Sequence, residues 1–253
     1  MAPHRLLDRL GSGLPCRGAW LFLGSPDAAD LLGHAGFDAL VIDHEHSPGG
    51  LETAVHQMRA IRAAGDATIL ARLGSNDPAA IKRLLDCGAQ GLLLPNVESA
   101  AEARAFVAAC RYPPAGRRGA HFTVSRAAGW GFHSGARDGD AGSIFLAAMI
   151  ESADGVRAVP EIARVDGLSM LFLGPLDLTG SIGRMGRWSD PEVVALLGQA
   201  EAAVLASGVA LGGALVPGDS ARAAFARGHR FVTVGSDVGM LRHAATQLLQ
   251  DAA

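Results

Sequence analysis

An α/β chain closed into a (β/α)8 barrel is the fold this sequence predicts, on three observations. Short runs of β-branched and aliphatic residues alternate with longer, Ala-rich segments from Trp20 onward. Alternation of this kind implies parallel pairing of the strands. Eight such units are present, and the run 40–42 stops abruptly in Asp43, His44, Glu45 and His46, as when a buried strand delivers polar groups to one end of a barrel.

Strands are expected over 19–23, 39–43, 68–72, 91–95, 145–151, 168–173, 210–215 and 231–234. Between them, helices are expected over 27–35, 51–64, 78–87, 99–110, 153–165, 191–207, 220–227 and 238–251. Ser25-Pro26, Asn76-Asp77-Pro78 and Ser189-Asp190-Pro191 each set a polar cap beside a proline suited to a first helical turn. Pro48, Gly49 and Gly50 turn the chain after the second strand. The stretch 111–141 breaks the rhythm, being rich in Gly, Arg and Pro, and reads as a long lobe beside the active-site mouth. The whole chain, 1–253, reads as one barrel domain.

With 253 residues, 49% of them hydrophobic, the chain can bury a sizeable core. A formal charge of −3 leaves no electrostatic footprint for nucleic acid or an anionic membrane, so small molecules are the expected partners. No apolar run approaches the ~20 residues of a membrane helix, and the first fourteen residues do not read as a signal peptide. Cys16, Cys87 and Cys110 match no zinc or redox spacing, which points to buried thiols in a reducing cytoplasm.

The strand ends carry the chemistry. Asp43, Glu45 and His46 close the second strand, Arg72 the third and Glu151 the fifth, while Gly174-Pro175-Leu176-Asp177 follows the sixth. In a barrel these ends converge, and carboxylates, an arginine and a histidine there could hold a divalent cation, an anionic substrate and a proton carrier. Glu151 and Asp177 form a candidate metal pair suited to Mg²⁺ or Mn²⁺, with a helix start and an Asx-type turn as the structural alternatives. Arg72 requires a carboxylate or phosphate partner, either a ligand or Asp43 or Glu45 of its own chain. His46 is a candidate general base, with Asp86 orienting it if helix and loop pack together, or else merely a solvated helical residue. His44 alternates with its neighbours and faces the other way. Gly212-Gly213 and Gly235-Ser236-Asp237 lack a neighbouring cation and fit close backbone packing better than a phosphate site.

These residues resemble the HpcH/HpaI family of class II, metal-dependent pyruvate aldolases over almost the full chain. The likeness rests on Gly36-Phe37-Asp38 with Ile42-Asp43-His44-Glu45-His46, Asn76-Asp77-Pro78 with Ile81 to Asp86, and Arg111-Tyr112-Pro113-Pro114 with Gly116 and Arg118-Gly119. Ile150-Glu151, Gly174 to Leu178 and Val234-Gly235-Ser236-Asp237 complete it. The resemblance implies a (β/α)8 barrel assembled as a hexamer, a trimer of dimers that exchange their last helix. It implies reversible cleavage of a 4-hydroxy-2-oxo acid to pyruvate and an aldehyde, with Mg²⁺, Mn²⁺ or Co²⁺ on Glu151 and Asp177. Arg72 would then hold the pyruvate carboxylate and enolate oxygen, the amides of Gly174 and Leu176 would receive the carboxylate, and Trp20 would line the pocket. His46 would be the acid/base residue supported by Asp43 and Asp86, and Arg126 would serve the aldehyde side from its own or a neighbouring subunit.

The chemistry agrees, since an enolate needs a Lewis acid and a cation beside it, whereas a Schiff-base aldolase needs a buried lysine and Lys82 is the only lysine in the chain. Met149 departs from the pattern, standing where the best-known members have glutamine. The alternatives are a CoA-thioester lyase of the citrate or malyl-CoA type and a non-catalytic oxo-acid-binding barrel.

Overall fold

The computed structural model describes residues 5–132 and 144–252. Eight parallel strands close in sequence order: β1 (Cys16–Leu21), β2 (Ala39–Asp43), β3 (Thr68–Arg72), β4 (Gly91–Leu94), β5 (Phe145–Ile150), β6 (Met170–Leu173), β7 (Ala210–Ala214) and β8 (Phe231–Ser236). Alongside them run α1 (Arg5–Gly11), α2 (Pro26–His34), α3 (Leu51–Ala64), α4 (Pro78–Cys87), α5 (Ala100–Cys110), α6 (Ala153–Ile162), α7 (Pro175–Ser181), α8 (Pro191–Ser207), α9 (Ala221–Ala226) and α10 (Asp237–Asp251). The expected barrel is therefore present, with all eight strands and all eight expected helices within a few residues of their predicted limits. Two short helices, α1 and α7, were not expected.

The proline-flanked caps form as the sequence implies. Ser25, Asp77 and Asp190 each accept hydrogen bonds from first-turn amides, and a proline follows each where its missing N–H costs nothing. Ser99 and Glu102 close a reciprocal capping box at α5.

Side-chain alternation divides the core in two. One layer lies between strands and helices, and the other fills the barrel with Trp20, Val41, Leu70, Leu93, Met149, Met170, Phe172 and Phe231. This interior is packed, not a pore, so chemistry is confined to its rim. Leu6 of α1 is fully buried in the inner layer, and its amide donates to Thr68 Oγ1 at 3.0 Å. The short α1 is thus a plug at the end where the strands begin.

The stretch after α5 corrects one expectation. A connection from a helix back to a strand returns the chain to the strand's start, so residues 111–132 lie at the barrel end opposite the strand termini that carry the polar groups. Their contacts confirm it: Arg118 pairs with Asp86, the amide of Ala127 donates to the Asp86 carbonyl, and Arg126 donates to the Cys87 carbonyl, all at the close of α4. In one chain residues 111–132 do not border the mouth. The rest of the stretch, 133–141, lies outside the described residues.

Leu6→Ala should empty the bottom of the barrel and lower the unfolding free energy by about 2–5 kcal/mol, the range for a fully buried leucine. Urea denaturation at fixed protein concentration reads this directly.

Candidate active site

Asp43 and Arg72 are paired residues at the ends of neighbouring parallel strands, so the barrel register sets them side by side. Arg72 Nε lies 2.5 Å from Asp43 Oδ1 and its Nη1 lies 2.9 Å from Glu45 Oε2. Both Asp43 and Arg72 are buried. Of the two partners left open for Arg72 by the sequence, the structure supplies its own carboxylates, and supplies both. Asp43 does a second job: its carboxylate accepts from the amides of Glu45, at 3.3 Å, and His46, at 2.7 Å, which folds the chain into the turn after β2. Beneath the guanidinium lies the face of Trp20, with Cζ 4.7 Å from the ring centroid.

Across the rim, Glu151 follows β5 and is 5% exposed, although no cation of the chain bonds to it among the described residues. Its Oε2 accepts from the amide of Asn96 at 3.0 Å. Asn96 holds a left-handed backbone, φ 51°, which asparagine tolerates better than most residues and which aims that amide inward. Sequence reasoning missed Asn96; an asparagine directly after Pro95 at a strand end was the only signal. Burial pushes the Glu151 carboxyl up to about 7; the Asn96 bond opposes this, Glu45 and Asp177 add to it, and Arg72 opposes it. Glu45 is likewise raised, first by burial, with Arg72 and His46 opposing and Asp43 and Asp177 adding.

Asp177 lies in the first turn of α7 and not in an isolated turn, its side chain exposed toward these two acids. Four carboxylates, Asp43, Glu45, Glu151 and Asp177, thus meet on the rim beside one guanidinium. Such an excess of negative charge, with Asp43 and Glu151 buried, is stable only if protons or a cation neutralise it. Gly174 has a different task from the one expected. Its amide donates to the Ile150 carbonyl at 3.2 Å and is therefore already committed to the sheet, which corrects its assignment as a carboxylate donor. Instead, a methyl group on Gly174 would land on the Glu151 carboxylate, so this glycine makes the space in which Glu151 sits. The Leu176 amide opens α7, where first-turn donors have no helical acceptor.

Donor chemistry fits a divalent cation: Glu151 and Asp177 offer hard carboxylate oxygens close enough to feel each other's charge. Among the described residues no three His, Cys, Asp or Glu side chains form a ready metal-binding set, so a cation on these two acids would keep positions for water and substrate.

His46 is exposed at the mouth, its Nε2 3.8 Å from Glu45. Asp86 does not reach it in the same chain. Asp86 is the penultimate residue of α4, which ends where β4 begins, and its carboxylate is held by Arg118 at 2.6 Å. The same barrel geometry that joins Asp43 to Arg72 therefore separates Asp86 from His46. His44, not selected from the sequence, is half-buried, and desolvation lowers its pKa against the opposing charge of Asp43. Trp20 is 8% exposed and meets the site through Arg72.

A family model described as HpcH/HpaI aldolase/citrate lyase matches residues 17–244. A 4-hydroxy-2-oxo-heptane-1,7-dioate aldolase of Shigella boydii is 38% identical over 243 residues, covering 94% of this chain and 91% of that protein. A crystal structure of an HpcH/HpaI aldolase/citrate lyase family protein from Burkholderia cenocepacia superposes with a TM-score of 0.92 at 36% identity, covering 99% of each chain. The citrate synthase SbnG superposes with a TM-score of 0.85 at 27% identity, covering 99% of this chain and 98% of that one.

The raised carboxyl of Glu151 has a sign that can be tested. Its value is about 7 in the native state against about 4.5 for the unfolded chain, so the native state holds the extra proton between those limits. In EDTA, stability should therefore fall as pH rises from about 4.5 to about 7, with the loss complete above that. Urea midpoints taken across this window should drop, and Glu151→Gln should flatten the trend relative to wild type.

Proposed function

The chain belongs to the HpcH/HpaI aldolase/citrate lyase family, and from that premise we propose that it is a metal-dependent aldolase cleaving a 4-hydroxy-2-oxo acid reversibly to pyruvate and an aldehyde. The observation that carries this reading is the buried Glu151 carboxylate facing Asp177 and Glu45 beside a clamped guanidinium. Glu151 and Asp177 would hold Mg²⁺, Mn²⁺ or Co²⁺. When bound, the ion supplies a Lewis acid for the carbonyl oxygen of the substrate.

The chain's own groups do the rest. Arg72 offers a fixed positive charge to the carboxylate and to the oxygen that becomes anionic, and Asp43, Glu45 and Trp20 hold it in place before substrate arrives. His46 takes the proton from the C4 hydroxyl as the C3–C4 bond breaks, whose electron pair passes into the enolate. A proton delivered to C3 then completes pyruvate. The Leu176 amide, in the first turn of α7, would receive the substrate carboxylate. Lys82 lies in α4, in the outer helical layer, away from the rim and so outside any Schiff-base role.

Assembly belongs to the same proposal. In α10 only Asp237 is buried, while Val238, Leu241, Leu248 and Leu249 form an exposed apolar stripe at helical spacing. A second copy of the chain exchanging this helix would cover it, and dimers so formed would build the hexamer. Asp86 and Arg126 would then be available to a neighbouring subunit's mouth. No helix among the described residues is long and apolar enough to cross a membrane, in keeping with a cytoplasmic setting.

A panel of 4-hydroxy-2-oxo acids should release pyruvate in the presence of Mg²⁺, Mn²⁺ or Co²⁺, and EDTA should abolish it. Turnover confined to CoA thioesters would favour the citrate-lyase side of the family, and ligand binding without turnover a non-catalytic barrel. Arg72→Lys, which keeps the charge but loses the fork, should reduce kcat by roughly 10²–10³ while cation affinity measured calorimetrically stays near wild type. Glu151→Gln should lose both. Leu248→Asp should shift the particle to smaller mass in light scattering.

A further inference from the structure

Trp20 is itself held from the far end of the chain. Its indole N–H donates to Thr233 Oγ1 at 2.9 Å, a bond between two buried groups on the adjoining strands β1 and β8. Phe22 stacks on Trp20 with ring centroids 5.8 Å apart and planes 14° from parallel, and Arg72 Cζ lies 5.9 Å from the Phe22 centroid. The amides of Phe22 and Leu23 both donate to the carboxylate of Asp237, at 2.9 and 3.0 Å, and that of Val238 adds a third bond at 2.8 Å. An aromatic pair lies under the guanidinium, pinned by one hydroxyl and one carboxylate.

We propose that Thr233 is a positioning residue for the reaction, acting through Trp20 to fix Arg72. The inference rests on the reading of Arg72 as the group that stabilises the enolate. A ring presents its electron-rich face to a cation and its positive edge elsewhere, so the attraction depends on the orientation of the indole. Asp43 and Glu45 hold the guanidinium through Nε and Nη1, two in-plane contacts that leave its tilt about the line joining them to be set by what lies on its face. The face of Trp20 removes this tilt only while the indole is itself prevented from rotating, and the bond to Thr233 supplies that restraint. A threonine at a buried barrel position would otherwise be replaceable by valine, which has the same shape.

The experiment compares Thr233→Val, Thr233→Ser and Arg72→Lys as intact holoenzymes. Thr233→Val should lower kcat roughly three- to tenfold. Affinity for Mn²⁺ without substrate should be unchanged, because neither Thr233 nor Trp20 bonds to Glu151 or Asp177. Thr233→Ser, which keeps the acceptor, should restore most of the loss. In a Trp130→Phe, Trp188→Phe background, Trp20 emission should shift with Thr233→Val and not with Thr233→Ser. Wild-type kcat for Thr233→Val alongside an impaired Arg72→Lys would overturn the inference and leave the aldolase reading standing. Equal losses in the valine and serine variants would overturn it too, since packing and not the hydrogen bond would then be at work. An Arg72→Lys enzyme with wild-type turnover would instead remove the enolate reading and this inference with it.

Discussion

The buried ion pair between Asp43 and Arg72 is the constraint on which the site depends. Two charges taken out of water gain little net stability, because desolvation offsets most of their attraction, but removing either partner strands the other. What such a pair provides is place. Register between β2 and β3 brings the two side chains together, and the second carboxylate oxygen of Asp43 is used to turn the chain toward His46. One acid thereby locates the guanidinium and the backbone of His46 at once, on a rim whose backbone is fixed by the barrel.

On the opposite arc, a carboxylate is buried with no cation bonded to it among the described residues. Glu151 has one backbone donor, two acidic neighbours and a glycine that yields it room. A structural glutamate would be either exposed or paired. This imbalance is stable as a proton-binding site or as a site for a metal ion, and the family to which the chain belongs makes the second the natural reading at neutral pH. The rim therefore has a clamped guanidinium on one side and, on the other, a carboxylate that requires a proton or a cation.

Much of this was legible in the sequence because parallel barrels tie chemistry to position. Alternating apolar runs gave the strands, and strand ends offered the candidate residues Asp43, Arg72 and Glu151, which the barrel sets on one rim. What proved illegible depended on backbone direction or on partners far along the chain. Asn96 contributes an amide, which no side-chain pattern reveals. Gly174 looked like a donor, yet its amide belongs to the sheet and its missing side chain is the useful part. Asp86 reads as a partner of His46 and the stretch after α5 as a lobe beside the mouth, but helices run antiparallel to strands, so Asp86 and residues 111–132 fall at the other end of the barrel. Short helices such as α1 and α7 carry too few turns for apolar periodicity to register. The bond between Trp20 and Thr233 spans most of the chain and has no local signature at all.

That last bond crosses the seam where the first strand meets the last. The carboxylates of the rim come from β2, the turn after it, the end of β5 and α7, all earlier in the chain than β8, which carries Thr233 and is followed by Asp237. A nascent or truncated chain can bring its acids into register and still lack the platform under Arg72. The platform beneath Arg72 is therefore completed only when β8 pairs with β1 and closes the ring.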